Sequence, residues 1–99
     1  MNYLDLLAAN IQREAEPAST PPDEDLALYR LYAVLLLAKG TEVTDEDVHN
    51  AWAAWASDHD PESTDILPFK ELSLGTQRKD GSYTEAIRKV AARLSGRAE

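Results

Sequence analysis

Leu4, Leu7, Ala8 and Ile11 recur at three- and four-residue intervals, which on an α-helix gathers them on one face. Asn2 ahead of that stripe, with Asp5 three residues later, supplies an N-cap and its reciprocal partner. A first helix is therefore predicted from about Tyr3 to Glu14. The stretch from Glu16 to Asp23 holds Pro17, Pro21 and Pro22 among small polar residues and cannot continue it. Residues 1–20 read as an N-terminal helix and a Pro-rich linker.

A second helix has two possible starts, Thr20 as cap with Pro21 in the first turn or Asp23 as cap, and runs to Lys39. Leu26, Leu28, Leu31, Val34, Leu35, Leu36 and Leu37 leave it little polar surface, which predicts the buried centre of a bundle, with Tyr29, Arg30 and Tyr32 as polar handles. Lys39 in the last turn and Gly40 beyond it mark its end. Thr44 opens a third helix, from about Asp45 to Ser57, with carboxylates in its first turn. Along it Val48, Ala51, Trp52 and Trp55 form one continuous face.

Residues 58–65 read as a polar loop, and Pro68 starts a short helical turn containing Phe69 and Leu72. Gly75 and Gly81 bracket a turn-rich stretch. Ser82 with Glu85 predicts a capping box for a last helix, in which Tyr83, Ile87, Val90, Ala91 and Leu94 share or adjoin one face and which stops near Ser95 at Gly96. No strand pattern persists. The expectation is all-α: a small bundle of about four helices with an extra helical turn and an irregular loop, one domain over 1–99 with its helical core in 21–95.

Composition narrows the function classes. There is no cysteine, so disulfides, thiolate metal sites and cysteine nucleophiles fall away together. The longest apolar run, Leu31 to Ala38, is far short of the roughly 20 residues a membrane span needs, and no signal-peptide pattern opens the chain; a cytoplasmic protein is expected. The net charge is −8, unevenly placed: residues 1–69 carry 3 basic and 14 acidic side chains, residues 70–99 carry 7 and 4. Phosphate repulsion over most of the molecule argues against nucleic acid and favours a basic protein surface as partner.

Candidate chemistry is sparse. The loop at Asp58 places Asp58, Asp60 and Glu62 where an EF-hand needs oxygen ligands, but Ser63 and Phe69 stand where its glycine and closing glutamate belong, so no metal is expected. Gly40 to Thr44 resembles a helix-turn-helix turn, yet the helix that would enter the groove begins Asp45-Glu46-Asp47 and would repel DNA. His49 lies four residues after Asp45 and three before Trp52 on the third helix, either as a hydrogen-bonded packing residue or as the wall of a binding pocket. Trp52 and Trp55, the two tryptophans of the chain, sit among alanines and serve either as core or as partly exposed contact points. Arg88, Lys89, Arg93 and Arg97 give the last helix a basic outer side, a solvated face or an interaction surface. No nucleophile accompanies either histidine, so no catalytic residue, enzyme activity or cofactor is expected.

Val48-His49-Asn50-Ala51-Trp52 on a helix, then Ile66-Leu67-Pro68-Phe69-Lys70-Glu71-Leu72-Ser73, then Asp80 and a helix near Tyr83, together resemble the repeat domain of ryanodine receptors. The likeness runs from about residue 43 to 90 and extends to small actinobacterial and actinophage proteins that share the Val-His-Asn-Ala-Trp helix. The loop from Ser57 to Thr64 departs from it, lacking the Gly-Trp pair of that family. The resemblance implies a non-enzymatic module, and ligand sensing in its bacterial members would put His49, Trp52, Pro68 and Phe69 near a pocket. Two functions are therefore expected as alternatives. One is a small binding domain whose pocket, lined by His49, Trp52, Trp55 and Phe69, takes a small ligand such as a nucleotide. The other is an acidic phage or bacterial protein whose residues 1–65 occupy a basic surface on a host protein.

Overall fold

The fold is taken from a computed structural model, which describes residues 2–16 and 23–95. Asn2 Oδ1 accepts from the Asp5 amide at 2.9 Å and opens helix α1, Tyr3–Ala15. Helix α2 spans Asp23–Lys39. The Thr20 and Pro21 start expected for it, the Pro-rich linker before it, the Gly96 stop and Arg97 all lie outside the described residues. Gly40 leaves the helix at φ +57°, a left-handed conformation that side chains disfavour, and begins a 3-10 turn over Gly40–Glu42.

Thr44 and Asp47 then form a reciprocal capping box for α3, Asp45–His59. Lys39 reaches over the turn to Asp47 Oδ1 at 3.0 Å. Burial alone would raise the Asp47 carboxyl, but the Lys39 ammonium and the Thr44 donors outweigh it and hold it below the usual carboxylate range. Past the loop, Pro68 precedes a 3-10 turn over Phe69–Glu71, as its fixed φ favours.

Two expectations need correction here. Residues 74–78 are not a plain turn but a short helix, α4, Leu74–Arg78, because Ser73 Oγ accepts from the Thr76 amide at 3.2 Å and caps it. The last helix, α5, spans Gly81–Ser95, so Ser82 lies inside it rather than before it. Its first bonds run to the Asp80 carbonyl, from the amides of Tyr83 at 3.1 Å and Thr84 at 3.0 Å.

Among the described residues the architecture is all-α, four long helices and one short one. α2 is central: α1, α3 and α5 all pack on it, and α1 also packs on α5. Leu7, Ala8 and Ile11 of α1, Tyr29, Tyr32, Ala33 and Leu36 of α2, and Ala86, Ile87, Val90 and Ala91 of α5 form one buried cluster with Val43 and Val48. Arg88 Nε donates to the Val43 carbonyl at 2.7 Å and fastens α5 to the turn ahead of α3.

Central does not mean enclosed. The buried face of α2 is Tyr29, Tyr32, Ala33 and Leu36, at helical spacing, whereas Leu26, Val34 and Leu37 remain about half exposed, at 48%, 49% and 52%. The tyrosines expected as polar handles are thus buried residues, and the Tyr29 hydroxyl finds partners inside. Tyr29 bonds Glu16 and also meets the Tyr83 hydroxyl, and the Tyr29 and Tyr32 rings meet edge to face at 5.7 Å.

Candidate functional site

Trp52 follows His49 by three residues, so both side chains leave the same side of α3. Their rings stack at 5.6 Å with planes 27° apart, and Phe69 closes on the imidazole from another side at 6.1 Å. His49 is buried, and its Nε2 lies 2.6 Å from the Leu67 carbonyl. A carbonyl only accepts, so Nε2 carries a proton and donates it. Nδ1 then faces Asp80 Oδ2 at 4.0 Å. Asp45, four residues before His49, is bound elsewhere: its Oδ1 accepts from the Thr84 hydroxyl at 2.5 Å, joining the start of α3 to α5.

Asp80, at the entry to α5, is partly shielded from water by its surroundings. Burial raises its carboxyl to about 6; the His49 charge opposes that rise and Asp45 adds to it. Behind it lie Tyr32 and Tyr83, with ring centroids 5.6 Å apart. Burial, then the neighbouring Tyr83 hydroxyl and the carboxylates of Asp80, Glu16 and Asp25, drive the Tyr32 phenol above its ordinary value. Burial followed by Glu16, Asp25 and Asp80 does the same to Tyr83.

These groups surround an open cleft of about 400 Å³ between α2, α3, α4 and the start of α5. Trp52, Trp55, Tyr32, Tyr83 and Leu28 give it apolar walls; His49, Thr76, Lys79 and the carboxylates of Asp25, Asp65 and Asp80 give it polar points. Trp55 is held from outside by the His59 ring, stacked at 4.8 Å with planes 9° apart, while His59 Nδ1 donates to the Trp55 carbonyl at 2.9 Å. Both tryptophans are partly exposed. The cleft has the size and the mixture of aromatic wall and few polar groups typical of small-molecule sites.

Of the five residues expected at a pocket, the structure brings His49, Trp52 and Trp55 together on this cleft. Phe69 touches the far side of His49 and lines a separate depression with Thr44, Asp45, Glu46, Lys70, Leu74, Gln77 and Arg78. Pro68 is exposed on the loop and lines neither. The segment meets His49 through the Leu67 backbone instead. The basic face of α5 is partly committed: Arg88 bonds Val43, Arg93 pairs with Glu14 at 2.9 Å, and Lys89 is exposed.

Sequence reasoning missed Asp25, Leu28, Tyr32, Asp65, Thr76, Lys79, Asp80 and Tyr83 as cleft residues. For Asp80 a signal was present, an acidic residue directly ahead of a helix that follows the His-x-x-Trp segment. Tyr32 stood out only as a polar handle of its helix, which does not say what its ring faces. Among the described residues no group of three or more potential metal ligands converges, and no helix is long and apolar enough to cross a membrane.

No curated protein and no solved structure matches the chain. The family model of a domain of unknown function, DUF7701, matches residues 2–92, a span that takes in every residue lining the cleft, and the chain belongs to that family.

Proposed function

We propose that this domain is a non-enzymatic binding module that takes a small ligand in the cleft beside His49. The observation that carries this reading is the setting of Trp52 and Trp55: neither is sunk in the core, and both line the same open cleft as the buried His49. Tryptophans held at the edge of solvent by stacking, rather than fully covered, are surface kept available for contact. The donated Nε2 proton and the carboxylate facing Nδ1 fix the imidazole as a wall and leave it poorly placed to serve as a general base. The resemblance of the His49–Trp52 segment to the ryanodine-receptor repeat is a further ground for a binding module, while Pro68 and Phe69 of that pattern lie off this cleft.

The test is a panel of small metabolites, nucleotides included, at millimolar concentration, read by melting temperature and tryptophan emission. A ligand of the native state raises the melting temperature, and one in this cleft also shifts the emission. Absence of any shift across the panel overturns the reading.

A second reading, an acidic interaction protein, draws on the surface of α1 and α2. Tyr3, Leu6, Leu26, Val34 and Leu37 are exposed on these two helices, which belong to the strongly acidic part of the chain. Association with a basic host protein through this side would weaken steeply with added salt. A salt-insensitive complex would count against it.

A further inference from the structure

The lining of the cleft carries a sign. Three carboxylates, Asp25, Asp65 and Asp80, face it against one ammonium, that of Lys79, and four large aromatic rings complete the walls. A phosphate-bearing ligand would meet like charge from most directions. An organic cation would meet carboxylates and the negative faces of indole and phenol rings together, the arrangement by which proteins hold substituted ammonium groups.

Asp80 strengthens the case by what it lacks. Among the described residues, the group within ion-pair range of its carboxylate is His49 Nδ1, at 4.0 Å, too far for a hydrogen bond. A partly buried carboxylate without a close donor is costly unless something supplies one. The phenol groups of Tyr32 and Tyr83 beside it resist ionisation partly because Asp25 and Asp80 already make the neighbourhood negative. These observations concern different groups and agree on the charge of the guest.

Resting on the reading of the cleft as a ligand site, we infer that its ligand is a small organic cation, an amine or substituted ammonium carried on an apolar or aromatic body. The charged nitrogen sits toward Asp80, Asp65 and Asp25, and the apolar body lies along Trp52 and Trp55. Lys79 marks the one part of the rim where the cation is disfavoured.

The test uses one ring with three charges: phenethylamine, 2-phenylethanol and phenylacetate, titrated into the full chain at low salt. Binding is followed by NMR through the indole N–H signals of Trp52 and Trp55, the two tryptophans of the chain. The amine is expected to bind about tenfold more tightly than the alcohol, with the acid weakest. In the double variant Asp25→Asn with Asp65→Asn, that preference for the amine is expected to collapse while the alcohol binds as before. Equal binding of all three, or a preference for the acid, overturns the cation and leaves the cleft as a ligand site. Failure of all three to move either indole signal at millimolar concentration overturns both.

Discussion

Two groups of aromatic rings sit a helix apart and are treated in opposite ways. Tyr29 and Tyr32, each with a polar hydroxyl, are almost wholly buried between α1, α2 and α5. Trp52 and Trp55, larger and less polar, stay partly exposed along the cleft. A ranking by hydrophobicity would reverse this order. What decides it is the company each ring keeps: the Tyr29 hydroxyl bonds Glu16 and meets Tyr83, and the Tyr29 and Tyr32 rings meet edge to face inside. The tryptophans face residues that do not close over them, and His49 and His59 stack on them from the side.

The contrast is sharpest in a truncation of each kind. Tyr32→Ala removes a ring that is only 2% exposed and is expected to cost about 3–5 kcal/mol, a large share of what a domain of this size possesses. Urea denaturation reads it directly. Trp55→Ala should cost less, about 1–2 kcal/mol, because part of that ring is already hydrated, and it should remove the response of the cleft to phenethylamine. If the two truncations cost the same, the division between a tyrosine core and a tryptophan rim fails.

Acidity probes the boundary between the two groups, where Asp80 lies. Its carboxyl titrates at about 6 in the folded protein, because burial penalises the charged form, and near 4 in an unfolded chain. Between those values the folded state holds a proton that the unfolded state has released. Stability from this group therefore falls as pH rises from about 4 to about 6, and is lowest above that window. Asp80→Asn abolishes the titration, so the melting temperature of the wild type should drop relative to the variant across that range. A difference that is flat with pH would place Asp80 in water instead of beside the core. The smallest effect is expected at Leu37→Gln on the outer face of α2, within about 0.5 kcal/mol, against about 2–5 kcal/mol for Leu36→Ala one residue away.

That pair of leucines also shows where the sequence stops being legible. Capping chemistry could be read at Asn2, at Thr44 and at the Lys39–Gly40 ending, but not at Ser82, which lies inside α5. The stripe on α3 could be read too, since alanines separate its large residues and leave one face marked. α2 could not, because apolar residues surround it and the choice of buried face rests on what α1 and α5 offer. The cleft was half visible for the same reason: α3 supplies His49, Trp52 and Trp55 from one local pattern, while Asp25, Tyr32, Asp65 and Asp80 arrive from three other segments through tertiary packing.

Leu7 and Ile11 of α1 join one buried cluster with Ile87 and Val90 of α5, the earliest and latest helices of the described chain. A nascent chain that has released α1, α2 and α3 from the ribosome still lacks that wall, and its tyrosines and leucines stay open to water. Closing such a long loop has an entropic cost that is offset only when α5 arrives. A chain that has not yet released Ile87 and Val90 is therefore expected to leave this cluster open to water.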